Sequence, residues 1–446
     1  MKLKRIFAIC LSTAICLALF TGCGSTKSIV SADLSYTQSD IRTLSVPANV
    51  QIVGLGEASH GVSQYHQMKA DVFKALVENN SCHTFIIEGD FGGALKVDQY
   101  INGGDGTAEE AIAEIGFAIY RTREMADLVE WMRSYNESVS NEKALHFYGM
   151  DVQRFDNNKE YLFSVLDQTC PELSAEYSEL LAQLTDENRN SLDKATLNSA
   201  KESVSGLIDK LDAVETDITS RLGQSAFDFA RECAKTIYAY CEVQLSDNYN
   251  ATRDQYMYEK VEWFLQHGDN TVLFINGHNG HIGKTSVAGY TCLGKLLSED
   301  LGSEYYSIGT DAQKTQFNSQ TDNGGFEVME VSNANDLNSQ FSDEDSGQYY
   351  FIDFASASYD EVWGQIMSKK QSITTLNVSL SGMEKLLKSA YTVNITPQDT
   401  FDGMIVFHSV TPSTILDKRY ADERAASEAD KLPFREVEQH LGFYLC

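Results

Sequence analysis

The sequence predicts an α/β fold, with a mostly parallel sheet flanked by helices and a large inserted helical cap subdomain. The first reason is that short apolar runs alternate with stretches of helical periodicity between residues 40 and 156. This rhythm indicates parallel strands joined by right-handed crossover helices. The second reason is that strand patterns then disappear from residues 157–267, where apolar residues recur at helical spacing.

The alternating region predicts three strands and three helices. Each strand candidate is a short apolar run, whereas each helix candidate repeats apolar residues at helical spacing. Met68, Val72 and Leu76 form such a stripe in the first helix, and Met125 and Val129 belong to one in the third. The predicted elements are a strand at 51–55, a helix at 62–79, a strand at 84–87, a helix through 95–100, a helix at 123–135 and a strand at 145–148.

Residues 157–267 predict several long antiparallel helices packed over the sheet as a cap. Leu197, Val204, Leu211 and Ile218 lie on one helical stripe within this insertion. The polar stretches 311–325 and 332–347 are rich in Asn, Ser, Gln and Asp and are interpreted as mobile loops. The remaining strands of the sheet are expected at 271–275, 305–308, 326–331, 349–353 and 404–408.

The N-terminus has the pattern of a targeting segment. A basic start precedes an apolar run at 6–20, which is too short to span a membrane comfortably. The end of this run resembles a bacterial lipoprotein signal whose cleavage leaves Cys23 as a lipidated first residue. The mature protein would then lie outside the cytoplasmic membrane, anchored through Cys23, or be secreted if it is cleaved otherwise. We therefore expect a signal peptide at 1–22, a flexible tether at 23–40 and a catalytic domain at 41–446.

The chain is strongly acidic, with 64 Asp and Glu against 35 Lys and Arg and a formal net charge of −29. Such a surface repels nucleic acid and anionic lipid headgroups. We therefore exclude nucleic-acid binding and expect membrane contact only through the lipid anchor. The cysteines form no CxxC pair and no readable disulfide framework. We expect a monomer that acts on a small molecule.

Ionisable side chains follow four of the predicted strands, at the point where each strand ends. The carboxyl ends of parallel strands meet at one edge of a sheet, and the loops there leave a crevice for a ligand. Core packing alone does not explain charged groups at four strand ends, so the pattern predicts an active site. The groups concerned are Glu57, His60, Glu88, Asp151, His278 and His281.

His60 is the sharpest catalytic candidate. Small residues flank it, and Glu57 lies three positions earlier. A carboxylate beside an imidazole fixes its tautomer and raises its basicity, which a general base for water requires. Glu57 or Glu88 can supply this carboxylate. Glu88 can also cap the helix that follows it, but the wholly apolar run before it favours the orienting role.

His278 and His281 are three positions apart, with Asn279 between them. On one helical turn this spacing places both rings on one face, which suits metal ligation. It equally suits two neutral donors that converge on an oxyanion. A phosphate loop is excluded because His278 occupies the position of its first glycine. With no G-x-S-x-G nucleophile elbow in the sequence, hydrolysis by an activated water fits the candidates best.

Several of these segments together resemble the erythromycin esterase family. The similarity follows the order of the family and covers residues 40 to about 415. The combination is specific, although each motif alone is weak. The matching segments are GEASHG at 56–61, IIEGD at 86–90, RTRE at 121–124, EWMR at 130–133, YGMD at 148–151, RD at 253–254 and GHNGH at 277–281.

The resemblance implies an α/β sheet with a large helical insertion and a deep cleft. It also implies metal-independent ester hydrolysis, without a cofactor, by water that His60 activates. Glu57 and Glu88 would match the supporting acidic residues, and His278 and His281 the second histidine pair. Lys69 departs from the family, which has an arginine nine residues after the catalytic histidine. Lysine keeps the positive charge but lacks the planar guanidinium group of arginine.

The matching segments also suggest substrate-binding residues. Lys69, Asp151, Arg121 and Asn279 are expected to bind substrate, with Lys69 and the second histidine pair stabilising the tetrahedral oxyanion. The substrate is expected to be an ester, which could be a macrolactone such as a macrolide antibiotic. An external location is unusual for resistance to a drug that acts inside the cell, and it favours a different natural ester.

Three alternatives remain open at this point. A metal-dependent hydrolase could use the same five side chains, Glu57, His60, Glu88, His278 and His281, as ligands of a divalent ion. A surface lipoprotein could use the cleft to bind a metal or a porphyrin without turnover. An inactive member of the family is disfavoured, because all three histidines and both glutamates are present.

Overall fold

The computed structural model describes residues 31–38, 40–268, 272–287, 289–321, 323–341 and 348–416. Most of the strands within these residues belong to one large sheet, and two form a small separate one. In chain order the strands are β1 (Thr37–Gln38), β2 (Ile52–Glu57), β3 (Thr84–Asp90), β4 (His146–Asp151), β5 (Leu273–His278), β6 (Tyr305–Gln320), β7 (Phe326–Ser332), β8 (Tyr349–Asp353), β9 (Gln371–Thr374), β10 (Thr392–Ile395) and β11 (Gly403–Val410).

Helices connect these strands and fill the long interval between β4 and β5. That interval holds six consecutive helices, α5 to α10, and no strand among its described residues. The helices are α1 (Ser63–Asn80), α2 (Phe91–Ile101), α3 (Ala108–Glu114), α4 (Arg123–Ser138), α5 (Asp156–Thr169), α6 (Pro171–Leu180), α7 (Lys194–Ala213), α8 (Glu215–Leu222), α9 (Gln224–Leu245), α10 (Tyr249–His267), α11 (Asn279–Ile282), α12 (Leu293–Leu301), α13 (Phe354–Ala357), α14 (Glu361–Ser368) and α15 (Pro397–Thr400).

Six parallel strands form the centre of the large sheet, in the order β11-β6-β2-β5-β3-β4. The remaining strands are antiparallel and lie outside this centre: β8 pairs with β11, β1 with β8, and β7 with the far part of β6. The predicted fold class, a mostly parallel sheet flanked by helices, is therefore confirmed.

Alternate side chains of the central strands enter two separate hydrophobic cores. Val53 and Phe85 point to one face, where they pack with α1 and α4. Ile52, Ile86 and Ile275 point to the other face, where they pack with the six-helix insertion and α12. This period of two follows from the pleat of the strands, and burial on both faces explains why these runs are so apolar.

Several helices begin at a short polar side chain that accepts a hydrogen bond from a free N–H group of the first turn. Asp90 caps α2 through the N–H of Gly93, and Thr122 caps α4 through the N–H of Met125. At α3, Thr107 and Glu110 form a reciprocal capping box. Local sequence therefore fixes where these helices begin.

The largest error of the sequence-based prediction concerns β6. The strand was expected at 305–308, with a mobile loop from 311, but it continues to Gln320. Asp311 looked like a loop residue, yet it is buried and accepts hydrogen bonds from Asn335, Asn338 and the N–H of Thr374. Burial raises the pKa of Asp311 to about 6 despite these donors. Long-range partners thus allow polar residues inside this strand.

The second expected loop, 332–347, is also more ordered than predicted over its described residues. Asn333 and Asn338 are buried, and their amide groups bond to the Ser372 carbonyl and to Asp311, respectively. The short strands β9 and β10 were not predicted. Residues 342–347, the signal segment 1–22 and the lipidation site Cys23 lie outside the described residues. Within the described ranges, no helix is long and apolar enough to cross a membrane.

Gly93 allows α2 to pack directly against the end of α3. A Cβ atom added at Gly93 would lie 1.9 Å from the carbonyl oxygen of Glu114. We expect Gly93→Ala to lower the free energy of unfolding by about 1–3 kcal/mol, because backbone atoms must move to admit the methyl group. Chemical denaturation measures this change.

Gly364 in α14 provides the matched control. A Cβ atom there would meet nothing closer than the Ser358 carbonyl oxygen at 3.9 Å. Gly364→Ala should therefore raise the free energy of unfolding by about 0.5–1 kcal/mol through helix propensity. Equal stability of Gly93→Ala and the wild-type protein would contradict the proposed backbone contact.

Candidate active site

The expected charged groups lie at the carboxyl ends of adjacent parallel strands. Glu57 ends β2 and pairs in register with His278, which ends β5. Glu88 lies near the end of β3, and Asp151 ends β4. The register of β3 and β4 shifts between Ile87 and Asp90, and such a bulge re-aims nearby side chains. All four charged residues are buried.

Glu57, His60 and Lys69 form what we call the base group. The Nδ1 atom of His60 lies 2.8 Å from Oε1 of Glu57. A carboxylate accepts, so Nδ1 carries the proton and Nε2 presents its lone pair. Within the described part of the chain, Nε2 of His60 has no hydrogen-bond partner. A general base requires such an arrangement, with a carboxylate that fixes the tautomer of the imidazole.

Lys69 projects from α1 to the second oxygen of the same carboxylate. Its Nζ atom lies 2.9 Å from Oε2 of Glu57, and its side chain is completely buried. Burial would raise the pKa of Glu57, but the charge of Lys69 and the hydrogen bond with His60 outweigh it, so the pKa lies below the usual range. Burial also lowers the pKa of Lys69. Glu57 therefore stays ionised.

The loop that carries His60 is held by backbone hydrogen bonds from distant segments. The carbonyl of Gly61 accepts from the N–H of Asn318, at 3.0 Å, and from the N–H of Ser413, at 3.1 Å. The N–H of Ser63 donates to the Thr411 carbonyl at 2.9 Å. These bonds fix His60 relative to β6 and to the 411–416 segment that follows β11.

Glu88 belongs to a second set of charges, which we call the ion-pair group: Glu88, Asp151, Arg253, Asp254 and His281. Oε1 of Glu88 accepts from Arg253 at 2.8 Å, and Oε2 accepts from the backbone N–H of His278 at 2.7 Å. Burial would raise the pKa of Glu88, but His281 and Arg253 outweigh it and hold the pKa well below the usual range. Gly277 makes room, since a Cβ atom there would lie 3.0 Å from Oε2.

Arg253 and His281 are the two cations of this group. Arg253, from α10 of the insertion, bonds both oxygens of Asp151 at 2.9 and 2.7 Å. His281 lies 2.7 Å from Asp254 through Nδ1 and 3.2 Å from Glu88 through Nε2. Burial would lower the pKa of His281, but the two carboxylates outweigh it and raise the pKa well above the usual value. These distances place His281 between two carboxylates, and Nη1 of Arg253 also lies 3.2 Å from its Nε2 atom.

His278 is in the opposite state. Its Nδ1 atom accepts from the N–H of Gly280 at 3.2 Å, so the neutral ring carries its proton on Nε2. Burial and the neighbouring His60 lower the pKa of His278 to about 3. Nε2 makes only a long contact, 3.5 Å, with Oγ1 of Thr375. The rings of His278 and His60 are 5.5 Å apart between centroids, which leaves a neutral donor beside the base.

The contacts of Glu88 and His281 differ from those that the sequence analysis emphasised. Glu88 does not orient His60, because its oxygens are taken by the ion-pair group and by the backbone of His278. His281 lies between Glu88 and Asp254, and the raised pKa favours its charged form over the expected neutral donor. The spacing of three positions was correct for a helical turn, but His278 is its N-cap and the two rings serve different groups.

The structure gives each of the residues expected to bind substrate a protein partner. Lys69 pairs with Glu57, and Asp151 pairs with Arg253. The side-chain amide of Asn279 donates to the Thr310 carbonyl and accepts from the Thr310 N–H. These two hydrogen bonds connect α11 to β6. Arg121 donates to the Ala113 carbonyl at 3.3 Å. These contacts are structural, and none of them shows a substrate site.

The sequence analysis gave no role to several residues that the structure brings into the site. Arg253 and Asp254 lie in a segment that matches the family, but the contacts of Arg253 with strands more than 100 residues away carry no local signal. Thr375 directly follows β9, and Tyr120 ends a single helical turn. Only the fold shows that Thr375 approaches His278 and that Tyr120 approaches His60.

The donor atoms do not favour a metal centre. Among the described residues, no three His, Cys, Asp or Glu side chains are arranged to hold a metal ion. Glu57 and Glu88 instead face Lys69 and Arg253. A divalent ion at these carboxylates would have to displace buried cations, so the arrangement suits proton transfer better than metal ligation.

Arg253 neutralises two buried carboxylates, and its loss should be costly. We expect Arg253→Met to lower the free energy of unfolding by about 3–5 kcal/mol at pH 7, because Asp151 would lose its ion-pair partner and Glu88 one of its two cations. The loss should shrink as the pH falls, since protonation removes those charges in the variant, and the stability that comes from the lowered pKa of Glu88 disappears from the wild type.

Urea denaturation at pH 7 and at about pH 3 measures both effects, because the contribution of Glu88 is lost only below its ordinary pKa. Arg42→Met is the control, because Arg42 forms an ion pair with Asp40 at the exposed surface. Such pairs contribute little, and the control should unfold with the wild type. An Arg253→Met protein as stable as the control would contradict the role given to the ion-pair group.

Comparisons with known proteins agree with this architecture. The model of the family described as erythromycin esterase matches residues 77–410. Erythromycin esterase type II from Escherichia coli is 22% identical over 295 residues, which cover 58% of this chain and 68% of the relative. Erythromycin esterase type I from Escherichia coli is 22% identical over 284 residues, which cover 57% and 67%, respectively.

Three solved structures share the fold, at identities too low to show more than the fold. A Bacillus cereus protein has a TM-score of 0.69 and 23% identity, covering 83% of this chain and 91% of that one. A protein described as a succinoglycan biosynthesis protein has a TM-score of 0.71 and 21% identity, covering 87% and 97%. A variant of the erythromycin esterase EreC in its open conformation has a TM-score of 0.60 and 16% identity, covering 83% and 93%. The family match extends over three quarters of the sequence, and the chain therefore belongs to the erythromycin esterase family.

Proposed function

We propose that this protein is a carboxylic ester hydrolase in which His60 activates a water molecule without a metal ion. Membership of the erythromycin esterase family supports ester hydrolysis in general. The observation that carries the specific proposal is the base group, in which Glu57 holds Nδ1 of His60 and leaves Nε2 without a protein partner among the described residues.

The reaction begins with proton transfer from water to Nε2 of His60. The water oxygen attacks the ester carbonyl carbon, and the carbonyl π electrons move to the oxygen to give a tetrahedral oxyanion. The oxyanion then collapses, the bond to the leaving oxygen breaks, and the Nε2 proton passes to that oxygen. Glu57 remains ionised and stabilises the imidazolium that forms in between.

His278 is the proposed donor to the oxyanion. It is neutral with its proton on Nε2, and a fixed neutral donor stabilises developing negative charge without giving up a proton. The ion-pair group supports it indirectly, because Glu88 holds the backbone N–H of His278. Lys69 keeps Glu57 in place and adds positive charge near the reacting atoms.

The proposed substrate class is esters, with macrolactones as one member. Two similar proteins carry the name erythromycin esterase, which makes a macrolide the natural first compound to test. Lys69, in place of the arginine expected from the resemblance, lacks the planar fork that grips a substrate oxygen pair. We therefore propose that simple esters and lactones are included alongside macrolides.

The test compares hydrolysis of an ester and lactone panel, including erythromycin, by wild-type protein and by His60→Ala. We expect His60→Ala to lose about 10²–10⁴-fold in kcat, the range that a general base contributes. His267→Ala is the matched control, since His267 lies exposed at the end of α10 and stacks on Trp263. Liquid chromatography of the products measures the rate of hydrolysis by each of the three proteins.

Two outcomes would contradict the mechanism. Equal rates for wild type and His60→Ala on every cleaved ester would reject His60 as the base. Wild-type activity that disappears on exhaustive chelation and returns with a divalent ion would favour a metal-dependent hydrolase instead. A non-catalytic metal- or porphyrin-binding protein would cleave nothing and would carry bound metal or a porphyrin absorption band.

The proposed location is the outer side of the cytoplasmic membrane, through a lipid on Cys23. The evidence is the basic and apolar pattern that precedes this residue. In a bacterial host, the full-length protein should partition with the membrane fraction and the Cys23→Ala variant should not carry the lipid. If mass spectrometry shows that the N-terminus of the wild-type protein carries no lipid, the proposed anchor is contradicted.

A further inference from the structure

Tyr120 lies against the proposed base and takes no part in the mechanism described so far. It ends the short helical turn Ala118–Tyr120 and is only 1% exposed. Its ring meets the His60 ring edge to face, with 6.1 Å between centroids and an interplanar angle of 85°. On the other side it approaches His66, at 6.2 Å. The ring therefore packs directly beside the imidazole that would move protons.

The hydroxyl of Tyr120 is buried and has no hydrogen-bond partner among the described residues. Most buried tyrosine hydroxyls find one, because an unsatisfied buried donor costs stability. Tyr305 donates to the Ile282 carbonyl at 2.6 Å, and Tyr240 donates to the Arg189 carbonyl at 2.9 Å. The Tyr120 hydroxyl, on a ring that packs against His60, therefore has a hydrogen bond to give to a ligand.

The surroundings keep this hydroxyl protonated. The Lys69 Nζ atom lies 5.2 Å from the Tyr120 ring centroid. Burial, followed by the charges of Glu57 and Glu88, raises the pKa of Tyr120 well above its usual value. Tyr120 can therefore donate a hydrogen bond but cannot act as a base.

We propose that Tyr120 is a further catalytic residue, which donates a hydrogen bond to the carbonyl oxygen of the ester and to the oxyanion that replaces it. The Tyr120 and His278 rings lie 6.1 and 5.5 Å from the His60 ring, so both proposed donors are neighbours of the proposed base. The oxygen gains negative charge in the transition state, and a donor fixed there acts most strongly at that point. This inference rests on the proposed ester hydrolysis.

The first test is Tyr120→Phe, measured on the best ester of the panel. We expect kcat to fall about 10²-fold, with little change in KM, as on removal of an oxyanion donor. The melting temperature should stay equal or rise, because the variant removes an unsatisfied buried hydroxyl. A structural role would instead lower the melting temperature and leave kcat near the wild-type value.

Tyr65→Phe is the matched control. Tyr65 is also buried, and its hydroxyl likewise has no hydrogen-bond partner in the described residues, but its ring packs on Phe407 rather than on His60. The control should keep its kcat within about twofold of the wild type, because the Tyr65 ring packs on Phe407 and not on the imidazole of His60. An equal loss in both tyrosine variants would overturn the proposal.

The second test asks which substrate atom Tyr120 contacts. The ester is compared with the thionoester of the same alcohol, in which sulfur replaces the carbonyl oxygen and accepts hydrogen bonds poorly. The wild type should prefer the oxygen ester, and Tyr120→Phe should lose that preference by about the same factor as its loss in kcat. An unchanged preference would overturn the contact with the carbonyl oxygen.

The outcomes separate this inference from the proposed function. A wild-type protein that cleaves no ester would overturn both. A wild type that cleaves esters, with a Tyr120→Phe protein whose kcat is unchanged, would overturn only the role of Tyr120 and leave the function of His60 intact.

Discussion

Glu57 is buried, and its two carboxylate oxygens are shared between His60 and Lys69. The rest of the site depends on this arrangement, because a buried carboxylate is stable as an ion only when charge and hydrogen bonds compensate for lost water. Lys69 supplies the charge and thereby lets Glu57 orient the imidazole. The position is set by the fold, since Glu57 ends the central strand β2 and Lys69 lies on α1, which follows it.

The sheet also positions the other ionisable side chains of the site. β3, β4 and β5 bring Glu88, Asp151 and His278 to one edge, and α10 supplies Arg253 across them. The helical insertion is therefore more than a cover for one face of the sheet, because one of its helices completes the electrostatics of the site. The opposite protonation states of His278 and His281, three positions apart, follow from their different neighbours.

The sequence was sufficient for the fold class and for the sheet edge at which Glu57, Glu88, Asp151 and His278 gather, because apolar runs that end in charged residues are a local pattern. It could not decide between Glu57 and Glu88 as the partner of His60, since side-chain direction at a strand end depends on register and on the bulge in β3. It failed for β6, where Asp311 is accommodated by amides from another segment. Tyr120 gave no signal, because an unpaired hydroxyl is visible only once its surroundings are known.

The hydrogen bonds that hold the His60 loop come from opposite ends of the described chain. His60 is near its beginning, whereas the groups that fix Gly61 and Ser63 belong to Asn318, Thr411 and Ser413. Translation proceeds from the N-terminus, so a growing polypeptide contains the imidazole hundreds of residues before it contains the backbone that positions it. The His60 loop therefore lacks these hydrogen bonds in an incomplete chain on the ribosome. It gains them only when almost the entire described region has been synthesised.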